Sequence, residues 1–173
     1  TWTTTVSEAG NVLSLGYLAA GRKWNERDKK MFKNPFAQFL KLETDFVKYW
    51  RLTDQGTLVG HVNAGIIWSY GNAENAPYYE QFYVGGANSI RAFNVRSIGP
   101  GRFLPSNSKY SYIDQTGDIK YLMNLEYRQK LFGDLYGAMF LDAGNVWTLH
   151  EHEYSPLGKF EAKRFFRQMA VGT

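Results

Sequence analysis

The side chains best placed to do chemistry are two carboxylates, Glu126 and Asp142, on the polar sides of two adjacent alternating segments. Such a pair can serve as general acid and general base. An upstream arginine offers a better use for them. Arg91 lies between Ile90 and Phe93, two apolar residues in an otherwise polar stretch. Phe93 is costly to leave in water, so this stretch is expected to pack against something and to draw Arg91 into the same confined place. A confined guanidinium needs a carboxylate partner. Charge-assisted, bidentate bonds from Arg91 to Asp142 and Glu126 would pin the stretch in place.

Other chemistry finds less support. His150-Glu151-His152-Glu153 offers two imidazoles and two carboxylates, but the histidines are two apart with no third fixed ligand in view. No metal is expected there. The chain has no Gly-x-Ser-x-Gly elbow, phosphate loop or His-Glu-x-x-His pair. It has no cysteine, hence no disulfide or thiolate metal site. No enzymatic activity and no cofactor are expected.

The elements that carry these residues read as strands. From Asp118 to Leu131, even positions are nearly all polar (Lys120, Asn124, Glu126, Arg128) and odd positions nearly all apolar (Tyr121, Met123, Leu125, Tyr127). A period of two with opposite faces describes a strand between two different media. Leu135 to Trp147 repeats the pattern, with Tyr136, Phe140, Asp142 and Gly144 sharing one face, and Phe132-Gly133-Asp134 supplies the hairpin turn. A second hairpin runs from Gln38 to Leu52 and from Thr57 to Tyr70 around Thr53-Asp54-Gln55-Gly56. Trp2 to Ala9 reads as a weaker strand, and Phe165 to Thr173 as the start of another.

Connections alternate in length. The turns at 53–56 and 132–134 are short, whereas 10–35, 71–116 and 148–164 are long and polar. All the long ones therefore fall at one end of the sheet. Outer-membrane barrels show this asymmetry, with short periplasmic turns and long external loops. Composition agrees: 12 Tyr, 12 Phe and 5 Trp in 173 residues, with a mean hydropathy of −0.41. Many rings and a polar average suit a barrel whose strands alternate and whose interfaces carry aromatic girdles. No run of 18 apolar residues exists, so no transmembrane helix is expected. The net charge of +4 is only mildly basic, which implies a solvated surface and no nucleic-acid site. The basic stretch from Gly21 to Lys30 reads as a solvated loop, with contact to anionic lipid as its alternative.

The stretch Phe82-Tyr83-Val84-Gly85-Gly86-Ala87-Asn88-Ser89-Ile90-Arg91-Ala92-Phe93 resembles the signature loop of the BamA/TamA superfamily, also called the bacterial surface antigen family. Ala92 stands where the family usually has glycine. Phe140-Leu141-Asp142-Ala143-Gly144 resembles the family's Phe-x-Asp-x-Gly strand, and Asn124-Leu125-Glu126-Tyr127 the strand before it. The wording of these motifs looks closest to TamA-like members. The resemblance implies a loop arginine reaching down a barrel lumen to the acidic residues of these strands, here Arg91 to Asp142 and Glu126. It also implies a sixteen-stranded antiparallel transmembrane β-barrel, of which residues 1–173 would supply five to six strands and a long lumen-inserted loop at about 71–116.

Three functions fit. The first is a non-enzymatic outer-membrane factor for barrel assembly, insertion or translocation. It would have outer-membrane lipid, the remaining strands of its barrel, substrate outer-membrane proteins and periplasmic or lipoprotein partners as neighbours. The second is a secretion pore of the same superfamily, dedicated to one partner. The third is a soluble β-rich binding module.

Overall fold

The computed structural model describes residues 1–103, 115–151 and 155–173. Its main feature is one antiparallel sheet of six strands: β1 (Trp2–Ala9), β4 (Phe39–Arg51), β5 (Gly56–Ser69), β6 (Ile119–Phe132), β7 (Leu135–Trp147) and β8 (Ala170–Gly172), neighbours in that order. A helix α1 (Asn11–Ala19) and a small hairpin of β2 (Lys30–Met31) and β3 (Asn34–Pro35) stand between β1 and β4. Every neighbour in the large sheet is the next strand along the chain once that small hairpin is set aside. This is the up-and-down meander of a barrel wall. It is open, with β1 and β8 at its edges.

Alternation decides the faces. In β4 to β7 the outward side chains include Leu40, Leu42, Phe46, Trp50, Ile66, Trp68, Met123, Leu125, Met139 and Leu141, all exposed. The inward face carries Lys41, Glu43, Asp45, His61, Asn63, Lys120, Asn124, Glu126 and Asp142. An apolar outer belt and a charged inner face invert the arrangement of a soluble sheet, as expected where lipid lies outside and water inside. No helix among the described residues is long and apolar enough to cross a membrane.

The buried core lies on the inward face, at the end with the long connections. Phe39, Ile67 and Leu122 from the wall meet Phe82, Val84, Ile90 and Ile98 from the connection between β5 and β6. The described part of that connection up to Ile98 therefore folds back over the sheet's inner surface.

Two segments differ from their expected form. The connection at 10–35 is not featureless: Asn11 to Ala19 forms α1, because Asn11 and Ser14 find polar partners on the strand ends. Ser14 Oγ donates to Gln38 Oε1 at 2.8 Å, and Tyr70 Oη donates to Asn11 Oδ1 at 2.9 Å. The last segment is a 3₁₀ helix over Ala162–Gln168 and only then the three-residue strand β8. Phe165 leaves the strand pattern because it stacks on Trp147 at 5.3 Å and meets Tyr121 edge-on at 5.2 Å.

Lys29, in the stretch expected to be solvated, is fully buried beneath α1. Its Nζ donates to Ser14 Oγ at 3.0 Å and to the Trp24 carbonyl at 2.7 Å. Burial holds its ammonium below the ordinary lysine value of 10.5, with Glu26 pulling weakly the other way. Between that lowered value and 10.5 the unfolded form of residues 11–36, the cap formed by α1 and the small hairpin, therefore binds more protons than the folded one, so this cap gains stability as pH rises through this window. Hydrogen exchange of residues 11–36, corrected for intrinsic rates, should slow with increasing pH in that range. Lys29→Met should flatten the trend.

Candidate lumen brace

The loop that enters the inner face is built for close approach. Gly85 and Gly86 have φ of 102° and 92°, a region that side chains rarely adopt. The chain then closes on itself: Gly86 N–H donates to the Phe93 carbonyl at 2.8 Å, and Arg96 N–H to the Val84 carbonyl at 3.1 Å. This sends Ser89 to Ala92 out as the leading edge. Ile90 is fully buried, and Phe93 packs half-buried against the core.

Arg91 is held from three sides. Its Nε and Nη2 donate to Oδ2 and Oδ1 of Asp142, each at 2.8 Å, and its backbone N–H adds a bond to Oδ2 at 3.0 Å. Its Nη1 donates to Glu126 Oε2. Its guanidinium carbon stands 3.9 Å from the centre of the Phe140 ring, a cation over a π face. Phe140 and Glu126 are direct cross-strand partners, as are Asp142 and Asn124. One arginine thus spans two adjacent strands. The planar fork is what makes this possible, because lysine offers a single point charge. The Asp142 side chain has no exposed surface, while Glu126 keeps a second cation, Arg128.

The loop sits on gaps in the wall. A Cβ on Gly144 of β7 would come within 3.3 Å of Ile90 Cδ1, and one on Gly172 of β8 within 2.6 Å of Ala92 Cβ. Gly144 therefore leaves space for Ile90, and Gly172 leaves space for the Ala92 methyl. Ala92 is thus matched by a glycine on the facing strand.

Further residues join the site whose part in it was not predicted from sequence. Asn124 Nδ2 donates to the Ser89 carbonyl at 2.7 Å, while its Oδ1 lies 2.8 Å from His61 Nδ1. His61 Nε2 is 2.7 Å from Asp45 Oδ2. Beyond these, Lys120 pairs with Glu43 at 2.7 Å, and Lys41 and Lys120 stand over the Phe82 ring at 4.9 and 5.0 Å. Between the loop and the wall lies a cavity of about 650 Å³ reaching from Lys41 to Ser89, lined by charged wall residues and by Phe82 and Leu122. His61 and Asn124 were visible as polar-face residues, but no turn joins β5 to β6, so their pairing could not be counted from the sequence. Of the His150 cluster, His152 and Glu153 lie outside the described residues. No group of three metal-ligating side chains occurs among the described residues.

A sheet with an apolar outer belt, a charged inner face, long connections at one end and a loop pinned against its inner face is the wall of an outer-membrane β-barrel. Residues 31–172 match the Omp85 superfamily domain, and the chain belongs to that superfamily of bacterial outer-membrane barrels. It is 33% identical over 108 residues to the outer membrane protein assembly factor BamA of Nitratidesulfovibrio vulgaris, an alignment covering 61% of the chain and 13% of that protein. It is 29% identical over 104 residues to the outer membrane protein assembly factor BamA of Neisseria meningitidis serogroup B, covering 57% of the chain and 13% of that protein. The alignments thus span only about an eighth of either curated relative, and they place the chain at the level of the superfamily.

Proposed function

We propose that residues 1–173 form one stretch of the barrel domain of a non-enzymatic outer-membrane assembly or insertion factor. In this reading the loop at about 71–116 is a brace fixed in the lumen, and Arg91, Asp142 and Glu126 are its fastening. The observation that carries the proposal is the guanidinium shared between β6 and β7. A loop tied at that depth stiffens this part of the wall, so that any strand separation is confined elsewhere in the barrel. Substrates would be unfolded outer-membrane proteins, and periplasmic or lipoprotein partners would deliver them. Its similarity to two outer membrane protein assembly factors supports this reading.

The open cavity of about 650 Å³ between loop and wall favours a second reading, a pore secreting one dedicated polypeptide. The full-length protein in phospholipid vesicles separates the two. An assembly factor should accelerate the folding of an added, urea-denatured β-barrel protein, followed as the appearance of its heat-modifiable band. Vesicles that show no acceleration over protein-free controls, yet pass a polypeptide to their interior, would replace the first reading by the second.

A further inference from the structure

Helix α1 is amphipathic in the inverse sense. Its polar residues face the protein: Ser14 is fully buried, and Asn11 and Tyr17 are half-buried. Its apolar residues face away, with Val12 at 72%, Leu15 at 55% and Leu18 at 48% exposure. A helix on a water-soluble surface turns its apolar stripe inward. Here each inward polar group has a partner. Besides the bonds of Asn11 and Ser14, Tyr17 Oη donates to the Lys30 carbonyl.

The register shows which side of the wall the helix occupies. Tyr70 N–H bonds to the Gln38 carbonyl, extending the pairing that sets Leu40 opposite Trp68. Gln38 and Tyr70 therefore continue the outward row of Leu40 and Trp68, two residues nearer the rim. Their side chains are the ones that hold Asn11. The helix thus lies outside the barrel wall, directly beyond the apolar belt, with its own apolar side turned away from the protein.

The neighbouring hairpin points the same way. Its two-residue turn is Phe32-Lys33, with φ of 48° and 71°, values that a hairpin of this kind normally gives to glycine or asparagine. Phe32 is 87% exposed at the tip, beside Met31 at 45%. Lys33 next to it, and Lys23 in the same connection, have no ion pair among the described residues. The hairpin is tied to the helix by Tyr17, which also stacks on Phe36 with ring centres 6.3 Å apart.

We propose that α1 and the Phe32 hairpin are a membrane-interface anchor, seated in the headgroup and upper acyl region of the external leaflet. Val12, Leu15, Leu18 and Phe32 enter the apolar layer, and Lys23 and Lys33 meet lipid phosphates. Two features identify lipid as the occupant: the apolar side continues the barrel's lipid-facing belt, and the exposed Phe32 is followed directly by Lys33, which has no ion pair among the described residues. At nine residues the helix lies in the interface and does not span it. It would fix the depth and tilt of this side of the barrel.

The test uses the full-length protein with any cysteines elsewhere replaced, labelled with an environment-sensitive fluorophore at Val12→Cys, Leu15→Cys or Phe32→Cys. A label at Asn88→Cys, on the lumen loop, is the reference. The proteins are reconstituted in vesicles of phosphatidylcholine and phosphatidylglycerol, with or without lipids brominated near the top of the acyl chain. The first three labels should lose about half or more of their emission to brominated lipid, as a depth of some 5–10 Å requires, and be shielded from iodide. The reference should do the reverse. Iodide quenching at the three positions equal to that at the reference overturns the proposal. Shielding from iodide without quenching by brominated lipid also overturns it, because the face would then be covered by protein.

Discussion

Arg91→Ala in the full-length protein should free the lumen loop and lower the stability of the barrel by about 3–5 kcal/mol, the usual cost of orphaning a buried charge. The loss falls mainly on Asp142. Its side chain is fully buried, and the Arg91 guanidinium and backbone N–H supply three of its bonds. Glu126 suffers less, because Arg128 remains beside it. Arg91→Lys should recover little, since one ammonium cannot reproduce a fork that reaches Asp142 and Glu126 together. The combination Arg91→Met with Asp142→Leu should be milder than Arg91→Ala alone, because no buried charge is then left without a partner. Urea unfolding in detergent gives the stabilities, and protease cleavage within residues 84–103 reports loop release. Equal loop protection in wild type and Arg91→Ala would show that the guanidinium does not hold the loop.

Most of the wall was readable because each strand separates two media. Alternation from Ile119 to Leu131 places Lys120, Asn124, Glu126 and Arg128 on one side, and only a strand with lipid or core on its other side calls for that pattern. Arg91 was conspicuous for a related reason. A guanidinium between Ile90 and Phe93 must follow them into a confined place, and the cost of burial then demands carboxylates. The short turn of the β6–β7 hairpin sets Phe132 opposite Leu135, but a bulge between Lys130 and Phe132 shifts the register by one residue, which sets Glu126 against Phe140 and puts a ring under the guanidinium; the bulge has no signal in the sequence. Between β5 and β6 the chain makes a long excursion, so nothing local fixes His61 opposite Asn124.

The cap was misread for the opposite reason. Asn11, Ser14 and Tyr17 recur at helical spacing, but they are polar, and sequence reading assumes that the recurring apolar residues face inward. Here the polar residues face the protein, and the connection looked like solvated loop. Lys29 was grouped with its basic neighbours for the same reason. Its burial depends on Ser14 and Gln38 being brought together by the fold. At the other end, Phe165 belongs to a cluster with Trp147, Phe160 and Tyr121. Aromatic packing there gives a 3₁₀ helix over Ala162–Gln168 where a strand was expected from Phe165 onward.

The departure at Ala92 shows how the loop and wall are fitted, and leads to a second large effect. Ile90, Arg91 and Ala92 dock side by side on Gly144, Asp142 and Gly172, so the charge pair has a shape-matched seat on either side. Gly144→Val should break the larger part of that seat. A Cβ there lies 2.6 Å from the Tyr121 carbonyl oxygen and 3.2 Å from Leu122 Cα, both backbone atoms of β6, as well as close to Ile90. Backbone cannot yield without disturbing the β6–β7 ladder, and Ile90 can yield only by lifting the loop off Asp142. The cost should fall near the upper end of the roughly 1–3 kcal/mol typical of overpacking. Gly137→Val on the same strand is the control. Its Cβ would meet only the Leu131 side chain at an ordinary 3.6 Å, so stability and loop protection should change little. If the two variants unfold at the same urea concentration with the same protease pattern, Gly144 is not the seat of Ile90. If Gly144→Val alone exposes residues 84–103, the loop is held by fit as well as by charge. Arg91→Lys, which leaves the fit intact, should then retain more loop protection than Gly144→Val combined with Arg91→Lys.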